Sequence, residues 1–374
     1  MRPVRELALL LFLAVAAAAA DARQTRNLVL VTADGLRWQE VFRGIDPLLM
    51  REKDAGMRDA ETLREKLWAA TPEERRQKLL PFFWKMLAPR GVVLGNRDKG
   101  STVQVTNQYR VSYPGYSEIL TCRAQDEKIR NNDPIRNPRQ TVLEFARRAW
   151  KLDRPQVALF ASWEIFRWIG ESLEGSIFLN AGYQQASGAP RLQELSRLQL
   201  EALSPWDAVR HDYVTFEMAM EHLRRYQPRV LYLALGETDD WAHDKRYDRV
   251  LQTAQYFDRA LETLWTTLES IDQYRDRTSL VISSDHGRGA QLSDWSSHGA
   301  KVEGAQYIWL AAAGPDTPAR GEVSNTPTVY QRDISATLLS LAGLDWQGFC
   351  AGGGGPVTQA FLPVERGREP APAR

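Results

Sequence analysis

Three short runs of β-branched and aliphatic residues, far apart in the chain, each lead into an acidic cluster. Asn27-Leu-Val-Leu-Val-Thr precedes Asp34, Val230-Leu-Tyr-Leu-Ala-Leu precedes Asp239, and Leu280-Val-Ile-Ser-Ser precedes Asp285. Short apolar runs bounded by turn-forming residues fit strands buried on both faces of a parallel sheet. In an open α/β sheet the ligand crevice lies beyond the carboxyl ends of the strands. Three distant acidic groups are therefore expected to meet at one place.

Histidines sharpen that expectation. Of five in the chain, three follow or close these clusters or one nearby, in Glu237-Thr-Asp-Asp-Trp-Ala-His243, Ser284-Asp-His-Gly287 and Trp295-Ser-Ser-His-Gly299. With Asp34 they make six candidate ligands: Asp34, Asp239, His243, Asp285, His286 and His298. Six is what two divalent ions need if each takes three protein ligands and they share a water or substrate oxygen. Mixed aspartate and imidazole ligation favours zinc, with manganese or iron as alternatives. The spacing of four between Asp239 and His243 puts them on one helical face, while the adjoining Asp240 is an alternative ligand. His211 and His222 fall on a helix predicted over 207–225, away from any acidic cluster, and read as surface or partly buried side chains.

Strands alternating with helical segments predict an α/β fold with a doubly wound, mostly parallel sheet flanked by helices. Further elements are a strand over 157–160, a long helix over 247–271, a strand over 307–312 and a last helix over 333–342. The stretch 47–89 carries Leu, Trp and Phe at helical spacing and reads as a helical insertion whose aromatics belong to the core. Because the ligands span most of the chain, residues 23–345 are expected to form a single catalytic domain. Residues 346–374, glycine-rich and then proline-containing, read as a loose tail.

Residues 1–22 carry Arg2 and Arg5, then an uncharged run, and end Ala20-Asp-Ala22, the pattern of a secretory signal peptide. The run over 7–20 falls short of the roughly 18–20 residues a spanning helix needs, so no stable membrane anchor is expected. A periplasmic or secreted protein follows. The net charge of +1 argues against nucleic acid as the default partner. Cys122 and Cys350, the only cysteines, are read as buried unpaired thiols, with a disulfide as the alternative. Oligomeric state is not legible from the sequence.

The run Val111-Ser-Tyr-Pro-Gly-Tyr-Ser-Glu-Ile-Leu-Thr121 resembles the Thr/Ser-aromatic-Pro segment of type I phosphodiesterases and nucleotide pyrophosphatases, within the alkaline phosphatase superfamily. The resemblance implies an alkaline phosphatase-like fold and a Ser112 that attacks phosphorus and also ligates one metal ion. It further implies that Asp34, Asp285 and His286 complete that ion's shell, and that Asp239, His243 and His298 hold a second ion. Asn132, twenty residues beyond Ser112, resembles the family's phosphate-contacting asparagine; a turn residue before Asp133-Pro134 is the alternative. Read on its residues alone, Ser112 sits just ahead of a helix in which Pro114 suits an early position, where N–H groups and the dipole favour an anion. An N-capping serine is the plain alternative.

The resemblance implies a small-molecule phosphate ester as substrate, cleaved through a phosphoseryl intermediate, with a diester as first choice because the nucleophile segment is most similar to that branch. Only eleven residues separate His286 from His298, where nucleotide pyrophosphatases carry a much longer stretch, so nucleotide specificity is not implied. The sulfatase pattern of Cys or Ser followed by x-Pro-x-Arg is broken, since Ser112 is followed by Tyr-Pro-Gly-Tyr. Phosphomonoesterase, sulfatase-like and phosphonate-cleaving activities, or a silent metal-binding scaffold, are the alternatives. Lys245, Arg246, Arg288 and Lys301 flank the ligands and read either as clamps for an anionic substrate or as solvated loop charges.

Overall fold

The computed structural model describes residues 23–52 and 55–361. The expected signal peptide, 1–22, and the last part of the expected tail, 362–374, lie outside the described residues.

Eleven strands are described: β1 (Asn27–Ala33), β2 (Gly91–Leu94), β3 (Val103–Gln104), β4 (Val157–Ala161), β5 (Phe178–Ala181), β6 (Val230–Leu235), β7 (Thr278–Ser283), β8 (Tyr307–Ile308), β9 (Leu310–Ala313), β10 (Gly321–Glu322) and β11 (Val329–Tyr330). Eight of them form one sheet in the order β10-β2-β9-β7-β1-β6-β4-β5, and β11-β3-β8 form a second, small sheet. In the large sheet only β9 runs against the others, pairing antiparallel with both β7 and β2. The fold is thus the expected mostly parallel α/β sheet.

Alternation along the central strands explains the two layers of helices. Val29, Val31 and Ala33 of β1 face one core together with Leu231, Leu233 and Leu235 of β6, while Leu28, Leu30, Val230, Tyr232 and Ala234 face the other. With successive side chains pointing to opposite faces, a strand apolar at every position must be covered on both sides. The long Tyr247–Ser270 helix covers the first face with Val250, Leu251, Ala254, Phe257, Leu261, Leu264 and Leu268, spaced as an amphipathic stripe. Each fully buried aliphatic side chain contributes about 1.5–3 kcal/mol by removal from water.

Helices fill most of 47–89. Ala60–Leu67 and Pro72–Leu79 are α-helical, the latter opened by a Thr71–Glu74 capping box with Pro72 at its first position. Phe82, Phe83 and Trp84 are buried, and the Asp258 carboxylate on the long helix accepts the Phe82 and Phe83 N–H groups, each at 2.8 Å.

Several boundaries differ from expectation. The predicted strand over 307–312 is two strands in different sheets, split at Trp309, whose carbonyl accepts from Ser283 Oγ (2.7 Å) and whose indole N–H donates to Leu36 O (3.0 Å). The predicted helix over 207–225 starts at Asp212, after the chain turns through Ala208 at positive φ. Strands β2 and β5, each four residues long, carry too short a pattern to stand out.

Two corrections concern the C-terminal part. Cys122 and Cys350 are not free thiols: they form a disulfide across 228 residues, with Cα atoms 5.4 Å apart. Sequence separation carries no information about that distance. The described part of the expected loose tail is packed, with a helix at Trp346–Phe349, Val357 and Ala360 buried, and Gly354 N–H donating to Cys122 O (2.8 Å). Among the described residues no helix is long and apolar enough to cross a membrane.

The disulfide fastens this segment to the C-terminal end of the Ser112–Thr121 helix. Replacing Cys350 by serine is expected to lower stability by about 2–5 kcal/mol. Chemical denaturation of the two proteins checks this, and an unchanged midpoint would count against the bond.

Candidate metal centre

The expected convergence starts from strand register. Ala33 pairs with Leu235 and Thr32 with Ser283, so β1, β6 and β7 end level with one another. Asp34 follows β1 directly, and Ser284-Asp285-His286 follows β7. Beyond β6, Gly236 opens the Glu237–His243 helix that carries Asp239 and His243.

His286 Nε2 is the hub. It lies 3.4 Å from Asp34 Oδ1, 3.5 Å from Asp285 Oδ2, 3.6 Å from Asp239 Oδ1 and 3.3 Å from Ser112 Oγ. Two overlapping groups result, Asp34–Asp285–His286 and Asp239–His286–His298, each with ligand atoms within 4.8 Å of one another. His243 joins the second group, its Nε2 being 3.0 Å from both Asp239 Oδ2 and His298 Nε2. The rings of His286 and His298 stack at 3.9 Å. Of the adjacent carboxyls, Asp239 enters the group. Asp240 instead turns back toward Gly236, where a Cβ would lie 3.7 Å from its Oδ2.

Backbone acceptors orient the imidazoles. With the proton on Nδ1, His286 donates to Gly287 O (3.0 Å) and presents a bare Nε2 to the carboxylates; His298 Nδ1 does the same to Arg110 O (3.1 Å). Arg110 adopts φ +53°, which turns its carbonyl back toward His298 two residues before Ser112.

Ser112 opens the Ser112–Thr121 helix rather than capping it. Val111 holds the N-cap position, no side chain caps the helix, and the Ser112 hydroxyl faces His286 instead. The plain N-cap reading therefore does not apply. Gly115 lets this helix approach, because a Cβ there would lie 2.3 Å from Asp285 O. Asn132 is exposed and close by, its Oδ1 accepting the Tyr113 N–H at 2.9 Å. That leaves its amide N–H₂ available as a donor beside the serine.

Several contributors escaped the motif reading. Tyr116, one helical turn beyond Ser112, donates its hydroxyl to Asp34 Oδ2 at 3.0 Å; its place inside the quoted motif at spacing four was the available signal. Gly35 N–H donates to Asp285 Oδ1 (3.0 Å), and Thr238 Oγ1 donates to Asp34 O. Of the four flanking cations, Arg288 is neither a solvated loop charge nor a clamp facing substrate: it is buried, with its guanidinium on Asp239. Arg246 pairs with Asp248 (2.8 Å), and Lys245 and Lys301 are exposed. Of the two remaining histidines, His211 pairs with Glu237 (2.8 Å), and His222 is fully buried, its Nε2 2.9 Å from Pro155 O.

Charge is confined where water does not reach. Burial, then the neighbouring Asp285 and Asp239, push the Asp34 carboxyl well above its usual range, and burial followed by Asp239 raises Asp285 to about 8. At Asp239 burial also pushes upward, but Arg288, with His243 and His298, outweighs it and holds the carboxyl well below its usual range. Burial lowers His286 strongly and His298 to about 4, so both are neutral at neutral pH and free to ligate. Asp34 Oδ1 and Asp285 Oδ2 are buried with no hydrogen-bond partner.

Residues 63–298 match the family described as type I phosphodiesterase / nucleotide pyrophosphatase. The chain belongs to that family. At this level the type I phosphodiesterase family identifies it as a hydrolase of phosphate esters. The fold is shared with a phosphonate monoester hydrolase from Silicibacter pomeroyi (TM-score 0.56, 14% identity, covering 94% of this chain and 78% of that one). It is also shared with murine ectonucleotide pyrophosphatase/phosphodiesterase 5, an inactive variant in complex with AMP (0.52, 12%, 85% and 95%). A protein of the alkaline phosphatase superfamily from Vibrio parahaemolyticus is similar too (0.50, 13%, 86% and 67%). No curated protein matches by sequence.

The raised carboxyls have a consequence for pH. A folded-state value of about 8 for Asp285, against 3.8 ordinarily, contributes stability that is complete below 3.8 and lost as pH rises through 8. The ion-free chain should weaken over that range, and a bound cation should relieve the loss. Saturating zinc is therefore expected to raise the thermal midpoint more at pH 8 than at pH 6. Equal increments in a thermal-shift titration would contradict this electrostatic account.

Proposed function

We propose that this chain is an extracytoplasmic phosphate ester hydrolase, a diesterase first, in which Ser112 forms a phospho-enzyme intermediate at a site for two divalent ions. The observation that carries the reading is the seat of Ser112 Oγ, in the first turn of a helix and 3.3 Å from the imidazole nitrogen common to both ligand groups.

The donor set fits such ions. Asp34 Oδ1 and Asp285 Oδ2 are buried acceptors without partners, and His286 and His298 are neutral imidazoles with their outer nitrogens already committed to carbonyls. Aspartate and histidine together suit zinc, with manganese or iron as alternatives. Two such ions, when bound, would supply Lewis acidity toward the serine oxygen, the leaving oxygen and the non-bridging phosphoryl oxygens. Asp34, Asp285, His286 and Ser112 would hold one, and Asp239, His243 and His298 the other.

Ser112 Oγ attacks phosphorus in line with the ester oxygen that leaves, so that a serine–phosphorus bond forms as the ester bond breaks. The proton given up by the Ser112 hydroxyl ends on the leaving alcohol, and water then cleaves the serine–phosphate ester, its oxygen leaving on the released phosphate monoester and one of its protons returning to Ser112. Asn132, anchored by the Tyr113 N–H, donates its amide to a non-bridging oxygen and favours the charge that develops there. Tyr116 fixes Asp34 from the same helix that carries the nucleophile, which ties the position of the serine to that of its ligand.

The Cys122–Cys350 disulfide supports an oxidising compartment, in line with the leader-like composition of the first 22 residues. The same reading keeps residues 23–345 as the catalytic unit.

The test is turnover of p-nitrophenyl phosphate, bis-p-nitrophenyl phosphate, a nucleotide p-nitrophenyl ester and p-nitrophenyl sulfate by zinc-loaded protein, beside Ser112→Ala. A diester should be cleaved fastest, and the variant should lose about 10³-fold or more. Faster cleavage of the monoester would move the reading to a phosphomonoesterase. Full metal content with no turnover of any ester would make the chain a silent scaffold.

A further inference from the structure

The two ligand groups differ in charge, and one buried side chain is responsible. Arg288 is 2% exposed. Its Nη2 donates to Asp239 O (3.0 Å) and to Asp239 Oδ1, its Nη1 donates to Ser296 O, and its Nε is buried without a partner. Gly35, at φ +58°, makes room for the pair: a Cβ there would stand 2.5 Å from Asp239 Oδ1 and 2.9 Å from Arg288 Nε. Cation and glycine thus form a close contact between two loops, with the guanidinium buried.

The Asp34–Asp285–His286 group holds two carboxylates that no arginine or lysine touches, and Tyr116 and the Gly35 N–H are neutral donors to it. The Asp239–His243–His298 group holds one carboxylate, already bonded to a guanidinium. A divalent ion in the first group meets two carboxyl groups with no fixed cation against them, whereas one in the second meets a carboxylate already bonded to a guanidinium.

We propose that Arg288 is a positioning residue that makes the two ion sites unequal, so that the Asp34–Asp285–His286 site fills first and the Asp239–His243–His298 site fills only at higher ion concentration. This rests on the two-ion reading above. The catalytic constellation would then be completed by the second ion over a concentration range set by Arg288, and the chain would pass through a singly occupied state.

The experiment is zinc titration of the ion-free full-length chain by calorimetry, with bound metal counted after equilibrium dialysis, for the wild type, Arg288→Met and Arg288→Lys. The wild type should bind in two steps separated by about tenfold or more. Arg288→Met, similar in length and uncharged, should tighten the second step and leave the first unchanged, while Arg288→Lys, which keeps the charge, should retain the gap. If the methionine variant fails to fold by circular dichroism, Arg288→Gln carries the same comparison. A second step that is unchanged or weaker without the charge would overturn the proposal and leave Arg288 as a brace for Asp239. Two indistinguishable steps in the wild type would overturn it while leaving the two-ion reading intact, whereas saturation at a single zinc ion would overturn both.

Discussion

Two carboxylate oxygens, Asp34 Oδ1 and Asp285 Oδ2, are buried at the ends of adjacent central strands with nothing to bond to, and the surrounding architecture keeps them there. An unpaired carboxylate out of water is costly enough that it either takes a proton or finds a cation. The protein provides neither arginine nor lysine to Asp34 and Asp285. It gives them neutral donors instead, the Tyr116 hydroxyl and the Gly35 N–H, which hold the side chains without cancelling the charge. A pair held open in this way offers its oxygens to a proton or to a cation, and the level ends of β1 and β7 bring it together.

The seat of Ser112 depends on the same pair. The Ser112–Thr121 helix could not come close enough to engage His286 if residue 115 carried a side chain, because the Asp285 carbonyl occupies that space. Glu118, buried farther along the helix, accepts the Thr106 and Asn107 N–H groups at 2.9 and 2.8 Å and pins the loop that leads into it. Cys122 then ends the helix in a left-handed conformation and bonds to Cys350. One ten-residue helix thus carries the serine at its first position, the tyrosine bonded to Asp34 one turn later and a covalent tether at its far end.

The central strands were legible because a strand buried on both faces carries a continuous apolar run, as Leu28–Val31, Val230–Leu235 and Leu280–Ile282 do. The convergence of the acids and histidines was legible because their motifs follow strands that end level with one another. What stayed hidden is what a one-dimensional pattern does not encode. Arg288 reads like any loop arginine until the Asp239 carboxylate is found against it, and Cys122 and Cys350 are separated by 228 residues. The short strands β2 and β5 take their conformation from neighbours already in the sheet rather than from their own periodicity. His222 reads as a surface or partly buried residue on a helix, yet it is fully buried and packs between Phe160, Phe178 and Tyr226, a setting decided by which face of that helix meets β4 and β5.

The two halves of the site are also held by different means. Asp34 and Asp285 follow directly from strands and inherit the stiffness of the sheet. Asp239 and His243 instead ride on a seven-residue helix, too short to be stable by itself. Its N-terminus is fixed from outside: the Asp212 carboxylate accepts the Gly236 and Glu237 N–H groups at 2.8 and 3.1 Å, and Glu237 in turn accepts the Asp212 N–H at 3.0 Å. The His243 side chain is 51% exposed, against none for His286. On the proposed reading, the rigid, buried half would fix the attacking oxygen from the inner side, and the solvent-facing half on its braced helix would leave the outer side open to the leaving group.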